Sequence, residues 1–241
     1  MLFDYDNVNL FKAIDKPLNP HYRTRFRPFL CLNLDGNKRT FTTTWFIREA
    51  LEEISMNLMP YGELPIEWRN VPQLTELAKS VQKELGNLFE KEVANLIKNK
   101  YITKNNISGF NHVSLKDQIV PNTKRTVGQI DVISIDTNNK TIYVIDAKCT
   151  KTKYFFQTFL GDKQTYNQYN IKLQDKVNWV SEHKDIVAQY FKLPSFEDYK
   201  VEGLFVSNSL IYFGFFSPTP IIPLDKLLRY LEIKDIKCLV E

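Results

Sequence analysis

The sequence predicts an α/β sandwich with a mixed central sheet, preceded by a small α+β appendage. Three observations lead to this fold class. Helical and strand-like segments follow one another in the order helix, strands, helix, strands, helix. Consecutive strands are joined by turns too short for a parallel crossover, so part of the sheet is antiparallel. A chain of 241 residues has room for one sizeable domain and a small addition.

Residues 1–70 are predicted to form the appendage. Phe29 to Leu34 is strand-like, Asp35-Gly36 is a turn signal, and the Thr- and aromatic-rich segment Arg39 to Trp45 completes a hairpin. A helix is expected over Phe46 to Leu58, where apolar residues recur on one side. Prolines and a glycine then interrupt regular structure, which places a domain boundary after residue 70.

Residues 71–241 are predicted to form the main domain. Its first element is an amphipathic helix over Leu74 to Ile97, and a second helix with apolar residues at core spacing covers about residues 162–183. A last helix is expected after Asp225. The predicted strands are His112 to Leu115, Gln129 to Ile135, Thr141 to Ala147, Val201 to Ser207 and Leu210 to Phe216.

Composition narrows the classes of function. The excess of 32 Lys and Arg over 28 Asp and Glu is too small to indicate nucleic-acid binding alone, but lysines cluster between Lys148 and Lys176. Arg23, Arg25 and Arg27 alternate as on one face of a strand. Three distant cysteines, no signal-peptide pattern and no long apolar run favour a cytoplasmic protein without a membrane partner. Gly-rich phosphate loops, nucleophile elbows and His pairs do not occur.

The segment that carries chemistry is a predicted hairpin with Asn138-Asn139 at its turn, where these two residues are expected to supply the positive φ angles of a tight turn. Residues equally far from this turn face each other, so Asp131 lies opposite Asp146, and Lys148 shares their side of the sheet. Facing Cβ atoms are roughly 4.5–5.5 Å apart, a distance at which two carboxylates repel. A divalent cation, Mg²⁺ or Mn²⁺, relieves this repulsion because both ions prefer oxygen ligands. Lys148 adds a positive charge for a phosphate or for the attacking water.

Two other arrangements of this hairpin stay open at this point. Asp146 caps the strand in solvent, and Asp131 with Lys148 forms an ordinary surface ion pair. Alternatively, a loop of different length shifts the register by one residue and sends Asp131 to the opposite face.

The hairpin resembles the active-site motif of the PD-(D/E)XK nuclease superfamily, whose restriction-endonuclease-like fold is an α/β/α sandwich with a mixed central sheet. Gly128 to Val132 is similar to the Gly-x-Ile-Asp-Val strand of Mrr-like members, and Asp146 to Lys148 is similar to (D/E)-x-K. The helix segment Gly86 to Val93 resembles their Gly-x-x-Phe-Glu-x-x-Val opening. The resemblance covers about residues 74–216 and supports the fold more strongly than any substrate.

The resemblance implies roles for individual residues. Asp131, Asp146 and the carbonyl of Ala147 would hold the metal, Glu90 would be the helix carboxylate, and Lys148 the catalytic lysine. Glu84 and Glu92 stay open as alternatives to Glu90, because Glu90 lies at the flank of the apolar stripe. The second helix would bring Gln164 or Gln168 towards the site. The residues expected to contact nucleic acid are Gln129, Lys151, Lys153, Gln168 and Lys172.

The predicted function is a Mg²⁺-dependent endonuclease that acts on DNA, as the nuclease part of a restriction or anti-phage defence system. The expected partners are DNA and a second copy of the chain or other protein domains. Two alternatives remain: a module of the same fold that binds nucleic acid without cutting it, and an RNA endonuclease.

Overall fold

A computed structural model describes residues 2–4, 28–34, 36–107, 114–115, 118–119, 128–150, 156–211, 213–214 and 217–238. The chain divides into two compact units, Met1–Leu85 and Gly86–Glu241. This division falls inside the helix α2 (Pro72–Ile97). The predicted boundary after residue 70 stays a prediction.

The first unit contains a three-stranded sheet. β1 (Leu2–Asp4) runs parallel to β2 (Phe29–Leu34), and β2 pairs antiparallel with β3 (Asn37–Phe41). Gly36 between β2 and β3 has a φ of 76°, a left-handed conformation that glycine adopts without a Cβ clash. The predicted hairpin is therefore present, although Asp35 lies outside the described residues.

Helix α1 (Thr44–Glu53) begins where the side chain of Thr43 accepts a hydrogen bond from the Phe46 amide, and it continues as a π-helix over Ile54–Leu58. The predicted apolar side is only partly buried. Ala50 is buried, but Ile47 and Leu51 are 40% and 59% exposed. The spacing of apolar residues thus predicted the helix, but not which residues it buries.

Gly62 allows the segment after α1 to pack against α2. Its φ is 62°, and a Cβ at this position would lie 2.5 Å from the carbonyl oxygen of Ala78. Gln82 of α2 donates a side-chain hydrogen bond to the Gly62 carbonyl at 2.9 Å. A glycine is required here by both conformation and space.

The second unit is built on a five-stranded mixed sheet in the order β10-β9-β8-β7-β4. Its strands are β4 (Ile102–Ile107), β7 (Ile130–Asp136), β8 (Thr141–Lys148), β9 (Lys200–Ser207) and β10 (Ile221–Pro223). β7 pairs antiparallel with β4 and β8, whereas β9 pairs parallel with β8 and β10. A separate two-stranded hairpin consists of β5 (Ser114–Leu115) and β6 (Gln118–Ile119).

Helices cover both faces of this sheet. α3 (Phe156–Glu182) and α4 (Lys184–Phe191) share a core with Ile133, Val144 and Phe205. Residues 86–97 of α2 and helix α5 (Leu227–Cys238) share the other core with Val132, Tyr143 and Ile145. The predicted α/β/α sandwich with a mixed sheet is confirmed. No helix in the described parts of the chain is long and apolar enough to cross a membrane.

Some predicted elements differ from the observed ones. The strand predicted over Leu210 to Phe216 is wrong within its described residues, because Leu210 and Ile211 are irregular and residues 213–214 form a 3₁₀ turn. Ile211 and Phe213 are apolar because both are buried in the core next to α3. Of the predicted strand His112 to Leu115, only residues 114–115 lie within the described residues. β4, β10 and α4 were not predicted.

Candidate active site

The loop between β7 and β8 sets the register of the hairpin. Asp136 Oδ1 accepts hydrogen bonds from the amides of Asn138 and Asn139 at 2.9 and 3.1 Å, and its Oδ2 accepts one from the Asn139 side chain at 2.9 Å. The left-handed residue is Lys140, with a φ of 49°, so the expectation of positive φ at Asn138-Asn139 is wrong. The hydrogen bonds that Asp136 accepts fix residues 138 and 139. The chain therefore reverses its direction at Lys140, the last residue of the loop.

The register itself is the predicted one. Ile135 pairs with Ile142 and Ile133 pairs with Val144, which aligns Asp131 with Asp146 at the open end of the hairpin. Asp131 Oδ2 accepts a hydrogen bond from the Ala147 amide at 2.9 Å. Asp146 is buried, which excludes the exposed cap, and the pairing of Val132 with Ile145 excludes the shifted register.

Two lysines contact these carboxylates. Lys148 Nζ lies 2.5 Å from Asp146 Oδ1 and 4.5 Å from the centroid of the Tyr169 ring. Lys176 of α3 lies beside both aspartates, with its Nζ 3.9 Å from Asp131 Oδ1 and 3.8 Å from Asp146 Oδ2. The geometry thus places two ammonium groups and two carboxylates at the ends of adjacent strands.

Sequence reasoning placed Lys176 only in a basic cluster, not in the site. A signal was present, because Gln164, Gln168 and Lys172 recur every four residues and the next position in this series is Lys176. Gln164, Gln168 and Lys172 are exposed on α3, so their proposed roles stay predictions. Because a helical turn takes 3.6 residues, each step of four residues rotates the position slightly around α3, and at Lys176 the series borders the core residues Leu173 and Val177.

Gly203 of β9 allows α3 to approach the sheet closely. A Cβ on Gly203 would lie 2.8 Å from Val177 Cγ2 and 3.2 Å from Leu173 Cγ. Val177 and Leu173 flank Lys176 on α3, and Gly203 pairs with Val144 of β8. The missing side chain therefore helps to hold Lys176 over the aspartates.

Glu90 approaches the same strand ends from α2, on the other side of the sheet. It is 8% exposed, and its carboxylate accepts hydrogen bonds from Gln129 Nε2 at 3.2 and 3.4 Å. Burial, followed by the negative charge of Asp146, raises the pKa of Glu90 above its usual value. Glu84 and Glu92 are exposed, whereas Glu90 is buried and contacts Gln129; the role of Glu90 as the helix carboxylate of the site stays a prediction.

The aspartates have different affinities for protons. Burial and the nearby charge of Asp146 raise the pKa of Asp131 to about 8. Burial also opposes ionisation of Asp146, but Lys148, the hydrogen bond from Asp131 and Lys176 lower the pKa of Asp146 below its usual value. A proton bound by the metal-free pair is therefore favoured on Asp131 over Asp146.

Lys148 remains a cation in this environment. Burial alone would lower the pKa of its ammonium group, but Asp146 and Asp131 raise that pKa by more, so it lies above its ordinary value. The site therefore offers a fixed positive charge beside a carboxylate that stays ionised.

The carboxylate pair fits a divalent cation. Within the described ranges, no three His, Cys, Asp or Glu side chains converge into a complete metal site. Mg²⁺ does not need one, because it commonly takes one or two protein carboxylates and fills its other positions with water and substrate phosphate. Two facing, buried carboxylates with hard oxygen atoms match this type of site.

The ends of β8 and β9 are joined by a polar residue that the sequence did not indicate. The Asn208 amide donates to the Lys148 carbonyl at 3.4 Å, and its side-chain oxygen accepts from the Thr150 amide at 2.9 Å. Asn208 thereby holds the chain that follows β8. Of the remaining basic candidates, Lys151, Lys153 and the three N-terminal arginines lie outside the described residues.

Comparison with known proteins identifies one family. Residues 85–208 match the model of the nuclease-related domain, NERD. The matched segment includes Glu90, the whole β7–β8 hairpin and Lys176. No curated protein and no solved structure matches the chain at a significant level.

Proposed function

The chain belongs to the nuclease-related domain (NERD) family of the PD-(D/E)XK-like nuclease superfamily, and on this premise we propose that it is a metal-dependent endonuclease acting on DNA. One observation carries the proposal: Asp131 and Asp146 are buried side by side, with Lys148 Nζ 2.5 Å from Asp146.

This arrangement favours catalysis over simple binding. Burying two neighbouring carboxylates is costly unless cations compensate them. A surface that only holds a nucleic-acid backbone needs positive charge and gains nothing from paired aspartates. A catalytic role of the two carboxylates explains why the protein keeps this energetically costly arrangement.

The chemistry follows from these residues. Asp131, Asp146 and the carbonyl of Ala147 would hold Mg²⁺ or Mn²⁺, with Glu90 as a further carboxylate at the same strand ends. The bound ion would lower the pKa of a water molecule and offset charge on the phosphate. Lys148, oriented by Asp146 and Tyr169, stabilises the negative charge that develops on the phosphate oxygens.

The test is cleavage of supercoiled plasmid DNA by the full chain with Mg²⁺, Mn²⁺ or EDTA. We expect nicked or linear products only with a divalent ion, and a loss of about 100-fold or more in Asp146→Asn. Asp136→Asn is the matched control, because Asp136 is equally buried in the same hairpin and, among the described residues, accepts its hydrogen bonds from Asn138 and Asn139 of the turn. Equal cleavage by wild type and Asp146→Asn would disprove the proposal.

Experiments on the same protein sample distinguish two alternative functions. Tight DNA binding without cleavage under any divalent ion would indicate a binding module on the same fold. A panel of double-stranded DNA, single-stranded DNA and RNA identifies the substrate, since an RNA nuclease would cut only the RNA. We further propose a role in restriction or anti-phage defence and a homodimer or multidomain assembly, as expected for such a nuclease.

A further inference from the structure

The ammonium group of Lys176 lies beside the two carboxylates that would hold a divalent ion. Its Nζ lies 3.9 Å from Asp131 Oδ1 and 3.8 Å from Asp146 Oδ2. The other two oxygens contact the Ala147 amide at 2.9 Å and Lys148 Nζ at 2.5 Å. All four carboxylate oxygens of the pair therefore face a donor or a cation supplied by the chain itself.

The position of Lys176 follows from the packing of α3. The core residues Leu173 and Val177 bracket it, and both pack on Gly203 of β9. Its side chain is only 12% exposed, whereas Lys163 and Lys172 on the same helix are exposed. Lys176 is thus directed at the site by the core, unlike an ordinary surface lysine.

An ammonium group and a divalent ion compete for the same carboxylate oxygens. Both are positive, and they repel strongly at the short distances of a buried site. Among the described residues, the cations that contact Asp131 or Asp146 are Lys148 and Lys176, so without Lys176 the aspartates keep Lys148 as their cation. Entry of a divalent ion therefore requires Lys176 to move away from the pair.

We propose that Lys176 is an internal counter-cation that keeps the carboxylate pair closed until a nucleic-acid phosphate arrives, so that metal and phosphate bind cooperatively. This inference rests on the proposed nuclease function. The phosphate gives the displaced ammonium group a new anionic partner, which offsets the loss of its contacts with the aspartates. The free protein then binds the ion weakly. Nucleic acid increases the affinity for the ion, and by thermodynamic linkage the ion increases the affinity for nucleic acid by the same factor. Lys176 is in this role a positioning residue.

The experiment measures Mn²⁺ binding to the full chain by electron paramagnetic resonance, with and without a DNA duplex protected by phosphorothioate linkages. We expect the duplex to tighten Mn²⁺ binding to wild type by about tenfold or more. Lys176→Met should bind Mn²⁺ about tenfold more tightly without DNA and gain little from the duplex. Lys176→Arg, which keeps the charge, should restore the wild-type pattern.

Lys91→Met is the matched control, because it removes the same charge from an exposed position next to Glu90. It should bind Mn²⁺ as wild type does. If the duplex does not tighten Mn²⁺ binding to wild type, the inference is overturned without reference to any variant. If Lys176→Met binds Mn²⁺ as wild type while Asp146→Asn abolishes binding, the role of Lys176 is wrong but the metal site stands. If Asp146→Asn does not weaken Mn²⁺ binding, the metal site is wrong and both proposals fail together.

Discussion

The two ends of the β7–β8 hairpin each contain buried aspartate, but in opposite settings. At the closed end, Asp136 accepts three hydrogen bonds from the amides and side chain of its own turn. At the open end, Asp131 and Asp146 face each other and are balanced mainly by Lys148 and Lys176. Asp136 and Asp146 are each 3% exposed, so burial does not distinguish these settings.

The difference lies in the partners of the carboxylates. Amide donors in a tight turn are fixed by the backbone, so the charge of Asp136 is satisfied permanently and its role is structural. Lysine side chains have rotatable stems and can move when a ligand brings its own charges. A buried aspartate therefore indicates function when its compensation comes from mobile cations.

The largest expected effect comes from removing Lys148, the cation that contacts Asp146 at the open end. Lys148→Met should reduce DNA cleavage by about 100- to 1,000-fold, because the charge that develops on the phosphate loses its nearest ammonium group. Steady-state cleavage at saturating Mg²⁺ measures the effect, and circular dichroism verifies folding. Cleavage within fivefold of wild type would remove Lys148 from the reaction.

The second prediction concerns the packing that holds the open end together. Gly203→Val should lower the free energy of unfolding by about 1–3 kcal/mol, because the new side chain overlaps Leu173 and Val177. Gly161→Ala is the control within α3, since its Cβ meets nothing within 4 Å, and it should be neutral or stabilising by about 0.5–1 kcal/mol. Urea denaturation measures both, and equal effects would show that the close approach at Gly203 is unimportant.

The third prediction compares the substitution of Asp by Asn at the two ends of β7. With EDTA at pH 8, Asp131→Asn should stabilise the protein by about 1–2 kcal/mol, because it removes half of a repelling pair and keeps an acceptor for the Ala147 amide. Asp136→Asn should destabilise it by about 1 kcal/mol through loss of the bond from Asn139. If thermal unfolding shows that both variants are stabilised, or that both are destabilised, the proposed contrast between the two ends of the hairpin is wrong.

The pH dependence of the same variants gives a further check. The pKa of Asp131 is about 8 in the folded protein, above its ordinary value of 3.8. The proton on Asp131 therefore stabilises the fold fully at pH below about 4, and this contribution is lost as the pH rises through about 8. The advantage of Asp131→Asn over wild type should accordingly grow from pH 5 to pH 8.5. A constant difference would show that Asp131 does not titrate in this range.

The smallest effect is expected on the exposed face of α3. Lys172→Ala should weaken DNA binding by about two- to fivefold and reduce the slope of log affinity against log salt by about 0.9, as for the loss of one phosphate contact. Binding measured by fluorescence anisotropy at several salt concentrations in Ca²⁺ is the readout. An unchanged salt slope would leave Lys172 outside the nucleic-acid interface.

Local pairing explains which parts of the site the sequence determined. The alternation of β7 and β8 and the length of their loop place Asp131, Asp146 and Lys148 together, because a hairpin register depends only on nearby residues. The pattern of its helix segment singled out Glu90, which the structure places beside Gln129, while its role in the site stays a prediction. The conformation of the turn was predicted less well, because the side chain of Asp136 changes which residue takes the positive φ.

Only the tertiary structure decided the rest. Lys176 and Gly203 enter the site from α3 and β9, and their contacts with the hairpin arise from packing between segments distant in the chain. The same reason explains why Ile211 and Phe213 were assigned to a strand: an apolar run shows that residues are buried but not in which conformation. The sequence by itself thus determined the sandwich and the facing aspartates, while packing determined the second lysine that compensates them.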